Sequence, residues 1–201
     1  MTIIRLALWL ITGLGFLFLA AAPAFAHEAE GLAGGFVAGF THPLSGPDHL
    51  LAMVAVGIWG AFLRRPLIVL LPIVFPTIMA FGAALGMSAV PFPPVEIGIA
   101  VSVIVLGSAI ALAWRAPIWA AVTIVAIFGL FHGYAHGREL PSLADPIAFS
   151  LGFVIATGAL HVAGIGLGLL HAKPGGVSLT RLLGAAIALA GLWYLAQAVG
   201  L

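Results

Sequence analysis

The stretch Leu32–Leu63, LAGGFVAGFTHPLSGPDHLLAMVAVGIWGAFL, is apolar at both ends and interrupted by His42-Pro43-Leu44-Ser45-Gly46-Pro47-Asp48-His49. As one continuous helix it would run about 48 Å, against a hydrocarbon core of about 30 Å. Pro43 and Pro47 have no N–H to donate, and each pushes the residue before it out of the helical region. The spacing therefore predicts a broken span: a half-helix to about Thr41, an irregular turn, and a second helix from near Asp48. Irregular backbone at membrane depth is tolerated where it is buried or lines a polar cavity, and such breaks hold ions and substrates in transporters. Carbonyls freed at the end of the first half offer oxygen to a cation, and Asp48 offsets the positive dipole end of the second. Asp48 also fits a plain helix cap, and the two His a satisfied broken backbone. Three ionisable residues this close together inside an apolar span favour function.

Outward from this break the chain is of one character. Of 201 residues, 63% are hydrophobic and 6% charged, and the mean hydropathy is +1.26. Soluble domains carry about a quarter charged residues, so this composition describes an integral membrane protein of all-α class. It excludes soluble enzymes and disordered scaffolds, and the scattered Arg residues make no nucleic-acid patch. With no Cys, disulfides, Fe–S clusters and thiolate metal sites are excluded.

At the N-terminus Arg5, the apolar run Leu6 to Ala22 and Ala24-Phe25-Ala26 have the pattern of a signal peptide, residues 1–26. Cleavage would leave His27 first in a mature domain of residues 27–201; an uncleaved first span is the alternative. Six apolar spans follow, approximately Leu32–Leu63, Leu67–Met87, Val95–Trp114, Ile118–His136, Pro146–Leu170 and Leu179–Val199. The odd loops and their helix ends hold Arg64, Arg65, Arg115, Lys173 and Arg181; the even loops hold Arg138. The positive-inside rule places the odd loops in the cytoplasm and both mature termini outside. Glycine pairs at small-xxx-small spacing, such as Gly35/Gly39, Gly82/Gly86, Gly129/Gly133/Gly137 and Gly164/Gly168, predict close helix packing. A tight monomeric bundle accounts for them, and they leave the oligomeric state open. Two halves of three spans are arithmetically available, without a visible internal repeat.

The second cluster closes the fourth span: Phe131-His132-Gly133-Tyr134-Ala135-His136-Gly137-Arg138-Glu139. His132 and His136 lie about 40° and about 6 Å apart on a helix, a spacing that lets two imidazoles hold one ion. Glu139 returns to the same face if the helix persists past Gly137. Core histidines at this spacing are the plain alternative. The first span runs inward from outside and the fourth outward, so topology sets both clusters at similar depth. His161, in the middle of the fifth span, is a candidate for the pathway or for a packing role. His171, beside Lys173, reads as interfacial, and Glu96 and Asp145 as acids at helix N-termini, with an entry-vestibule role secondary. His27, with its α-amine, imidazole and neighbours Glu28 and Glu30, could capture metal outside; a merely disordered tail is the alternative.

Imidazole and carboxylate without thiolate suit Ni(II), Co(II), Zn(II) or Cu(II). The chain has no G-x-x-x-x-G-K-[ST] phosphate loop, which excludes ATP hydrolysis on it, and no H-E-x-x-H. The two histidine motifs, with Leu50-Leu51-Ala52-Met53 after the first and Ala156-Thr157-Gly158-Ala159-Leu160-His161 in the fifth span, resemble the HupE/UreJ family of nickel permeases. The resemblance covers essentially the whole chain. It implies a hydrogenase or urease accessory protein of the bacterial cytoplasmic membrane that imports Ni(II). By position it implies His42, Asp48 and His49 in the first span and His132, His136 and Glu139 in the fourth.

The expectation is thus a six-helix secondary permease or facilitator for a divalent metal ion, Ni(II) first and Co(II) or Zn(II) as alternatives. Asp48 supplies charge, the four His supply nitrogen, and Glu139 sits at the outer rim, with His27 and His161 as further pathway candidates. Its partners are the metal ion and the bilayer, with no organic cofactor, nucleic acid or ATPase subunit. Two rivals keep the residues but change the chemistry: a membrane-embedded Zn-dependent hydrolase, and a bis-His haem b electron-transfer protein.

Overall fold

The computed structural model describes residues 32–88, 90–139 and 145–201. The signal peptide and His27 lie outside the described residues. Those that are described form seven α-helices and one 3-10 turn, with no strand among them. They are α1 Leu32–Ser45, α2 Pro47–Leu63, α3 Leu67–Met87, α4 Val95–Ala111, α5 Ile118–Glu139, α6 Pro146–Leu169, the turn Leu170–Ala172, and α7 Gly176–Ala198.

Helices α3, α5, α6 and α7 are each long and apolar enough to cross a bilayer, and α1 with α2 makes a fifth such unit bent by 81°. Helix α4, at 17 residues, is shorter. Large apolar side chains point outward all round the bundle, among them Ile73, Phe81, Leu151, Val162, Leu182, Leu189 and Trp193. In water such a surface would drive aggregation; in lipid it is the matching solvent.

The first span is broken as its two prolines require, but the break is narrower than expected. Helix α1 runs on to Ser45 with Pro43 inside it, and Gly46 alone, at φ −97° and ψ 98°, separates it from α2. Pro43 stands in the last turn, where one missing N–H costs little. Just beyond it the Ser45 hydroxyl donates to the His42 carbonyl at 2.7 Å, so that carbonyl is already engaged. Pro47 then occupies the first turn of α2, where its missing N–H is one of the orphans anyway.

Three other boundaries moved by three residues each, the end of α5 among them, which reaches Glu139 rather than His136. Helix α4 stops at Ala111 rather than Trp114: Ala113 turns the chain at φ 52°, and the Arg181 Nε donates to the Ala111 carbonyl at 2.8 Å. Trp114 folds back to stack on Trp59 at 5.8 Å. These partners are distant in sequence, so local composition does not reveal them. Helix α7 starts at Gly176, ahead of the expected Leu179.

Three close helix pairs build the bundle, each seated on glycine. Gly39 of α1 lies on the Phe149 backbone and Gly57 of α2 on the His161 carbonyl. The bent pair therefore follows α6 in one direction along its length. Gly133 and Gly137 of α5 lie on the carbonyls of Met79 and Ala83, so α3 and α5 are parallel. Helices α4 and α7 pair antiparallel through Gly107, Gly184 and Gly191. Exchanging the first three spans for the last three maps the first two pairs onto each other and the third onto itself. This is the pairing scheme of an inverted repeat.

Candidate metal centre

Each histidine of the two motifs is positioned by the glycine-seated pairs. Seating α1 on α6 sets the His42 ring against Phe149 and Phe153, at 5.3 and 6.0 Å between ring centroids. Helix α5 continues through Gly137 to Glu139, so His132, His136 and Glu139 share one helix as the condition on Glu139 required. The Gly46 break turns Asp48 and His49 back toward α5, where the His49 ring meets those of His132 and His136, each at 4.7 Å.

The outer part of the cluster is a trio. His42 Nε2 lies 3.1 Å from His136 Nδ1 and 3.0 Å from Glu139 Oε2; His136 Nδ1 is 3.8 Å from the same oxygen. All three ligand atoms lie within 4.8 Å of one another. Adjacent ligands around a metal bound at about 2.0–2.1 Å stand about 2.9–3.4 Å apart, so these separations are close to those of a coordination sphere. The side chains of Glu139, His42 and His136 are 53%, 30% and 7% exposed, an order that runs from solvent inward. The trio sits in a cleft of about 260 Å³ lined also by Ser45, Asp48, His49 and Glu96.

Behind it the imidazoles are held by defined partners. Asp48 Oδ1 accepts from the His49 backbone N–H at 2.8 Å and from His49 Nδ1 at 2.9 Å. That directs the free lone pair to His49 Nε2, which is buried and has no hydrogen-bond partner among the described residues. The Ser102 hydroxyl donates to the Ile99 carbonyl at 2.6 Å. Its single proton being spent, its oxygen accepts from His132 Nε2–H at 3.0 Å, and the lone pair of His132 is on Nδ1, buried and unpartnered. The Nε2 of His136 is likewise buried and unpartnered. An oriented imidazole with its second nitrogen held by a carboxylate or hydroxyl is how proteins prepare histidine for metal. The rings of His49, His132 and His136 touch, so no porphyrin fits between them.

A family model described as HupE / UreJ protein matches residues 15–194. The chain belongs to the HupE/UreJ family. Protein HupE of Rhizobium leguminosarum bv. viciae is 43% identical over 172 residues, covering 85% of this chain and 90% of that protein. No solved structure matches the chain. The motif resemblance and the apolar helices of a transmembrane protein therefore agree.

Within this HupE/UreJ chain His42, His136 and Glu139 meet as a trio, with His49 and His132 behind it. His132 is one turn deeper and engages Ser102 and His49, and Asp48 accepts from the backbone and the ring of His49. His161 is buried elsewhere in the core, against the Phe75 ring at 5.6 Å. Asp145 accepts from the Ala148 N–H at 2.9 Å and caps α6. Sequence reasoning missed Ser102, although a serine midway along an apolar helix was the available signal. Glu96, read first as an acid at a helix N-terminus and second as part of an entry vestibule, lines the cleft.

Proposed function

We propose that this protein is a secondary permease or facilitator that imports a divalent transition-metal ion, Ni(II) first, across the bacterial cytoplasmic membrane for a hydrogenase or urease. The observation that carries this reading is the convergence of His42 Nε2, His136 Nδ1 and a Glu139 oxygen at the mouth of a polar cleft inside an otherwise apolar bundle. Family membership supports nickel as the cargo. Glu139 and Glu96 attract the cation, and His42 and His136 replace part of its water shell. The ring of His136 then presents its second nitrogen inward, where Nε2 of His49 and Nδ1 of His132 wait unpartnered. Asp48 holds His49 in register and adds the negative charge that a dipositive ion needs away from water.

Six spans follow if α1 with α2 counts as one and the short α4 as another. Arg115 lies over Phe62 at 5.9 Å, His171 touches the same ring at 4.7 Å, and Arg181 reaches Ala111. The basic loops thus share the end opposite the cleft. With positive charge retained in the cytoplasm, the cleft faces outside. A cleaved leader of residues 1–26 and capture by His27 complete the reading.

Uptake by proteoliposomes, with nickel, cobalt and zinc in competition and with or without a proton gradient, tests it. Saturable nickel uptake that His42→Ala and His136→Ala each reduce at least tenfold is the expected result. Uptake indifferent to both substitutions would sink the proposal.

A further inference from the structure

A cation moving inward from His132 still has about half the bundle to cross. The buried polar side chains among the described residues are Ser102, His132, His136, Thr157, His161 and Thr180. Ser102 is bonded to His132, and Thr180 to His171 and to its own helix. His132 and His136 belong to the cluster at the mouth. That leaves Thr157 and His161, at 0% and 1% exposure, with Thr157 Oγ1 and both His161 ring nitrogens lacking a hydrogen-bond partner among the described residues. Natural cores rarely leave buried polar groups unpaired, and each such group asks for a reason.

The two side chains stand four residues apart on α6 and therefore on one face. A third polar group joins them. Pro76 has no N–H, so the carbonyl of Pro72, four residues before it in α3, has no helical donor. It approaches the His161 ring, although neither ring nitrogen meets it in hydrogen-bond geometry. Phe75 connects the two regions, its ring contacting His132 at 5.4 Å and His161 at 5.6 Å.

We infer that His161, the Thr157 hydroxyl and the Pro72 carbonyl form a second, weaker station for the metal ion, deeper than the cluster at the mouth. This rests on the reading of the mouth as the ion's first site. One imidazole with two neutral oxygens is a poorer ligand set than several imidazoles with carboxylates. Conduction needs such a step, since an ion must be held well enough to enter and loosely enough to leave.

The test uses the full-length purified protein and nickel ion alone, with equilibrium binding in detergent and uptake by proteoliposomes measured on the same variants. His161→Leu is expected to bind nickel at the mouth within about twofold of wild type while uptake falls at least tenfold. Thr157→Val lowers uptake about threefold, and Thr157→Ser recovers it by restoring the hydroxyl. Gly158→Ala, on the same helix with open space at its Cβ, is the unchanged control. Wild-type uptake by His161→Leu overturns the station, as does loss of mouth binding in step with uptake, which would make His161 a packing residue. Should His161→Leu fail to insert, His161→Gln and the Thr157 pair decide by the same split. Wild-type protein that binds no nickel, or His42→Ala that binds it unchanged, is a different result and overturns the reading of the mouth.

Discussion

Asp48 and Ser102 do for two imidazoles what neither imidazole can do alone. A histidine in a membrane span has two tautomers and a rotatable ring, and a metal needs one particular lone pair. Asp48 Oδ1, taking both the N–H and the Nδ1 of His49, settles the tautomer and adds charge. Asp48→Asn keeps an acceptor in nearly the same place but removes the charge. It should insert normally and lose about 10- to 100-fold in nickel affinity, read by equilibrium dialysis against wild type; an unchanged affinity would mean the charge is dispensable. Ser102 acts through His132 by a hydroxyl whose proton is committed to Ile99. Ser102→Ala strands a buried N–H, a loss of about 1–3 kcal/mol. Nickel affinity should fall about tenfold, and Ser102→Thr, which keeps the hydroxyl, should recover most of it. Equal affinities for the alanine and threonine variants would show that the hydroxyl does not position the ring.

Among elements, α5 carries the most. One face presents His132, His136 and Glu139, and the other lies on α3 through Gly129, Gly133 and Gly137. A Cβ at Gly133 would collide with the Met79 carbonyl, whereas one at Gly158 of α6 meets nothing. Gly133→Ala must therefore push two backbones apart, and overpacking of this kind costs about 1–3 kcal/mol. Because His132 is its direct neighbour, the same displacement should disturb the histidine cluster. Thermal unfolding in detergent, paired with nickel binding, should show both losses in Gly133→Ala and neither in Gly158→Ala. Equal behaviour of the two variants would show that the α3–α5 contact tolerates separation. The broken span illustrates the same coupling. Its bend at Gly46 would be only an irregularity if α1 did not sit on α6 and bring His42 beside His136.

Charge is biased by end, with Arg64, Arg65, Arg115, Lys173 and Arg181 on one side and Glu96, Glu139 and Asp145, with the single Arg138, on the other. That asymmetry carries the orientation. The chain has no Cys, so single cysteines report sidedness without background. Val90 and Lys173 are both exposed, at the two ends. A membrane-impermeant maleimide should label Val90→Cys in intact spheroplasts and Lys173→Cys only after permeabilisation. The reverse pattern would turn the cleft toward the cytoplasm and overturn its reading as the entrance for imported metal.

Much of this architecture lies in one-dimensional properties of the chain. Apolar runs of bilayer length mark the spans, because lipid demands them residue by residue. Two prolines four apart place the break, because a missing N–H is a local fact. Four histidines with Asp48 and Glu139 stand out, because ionisable groups are costly where they lie. The pairing of α1 with α6 and of α3 with α5 was legible only as a stripe of small residues, without its partner. The partner of Ser102, the halt of α4 at Ala111 and the division of labour among the histidines came from the tertiary structure. His136 turns one nitrogen toward His42 and Glu139 and buries the other, while His132 sits a turn deeper, held by a serine 30 residues away. Spacing along a helix says which residues share a face. Which lone pair points at which neighbour depends on side chains from other helices, and only packing brings those together.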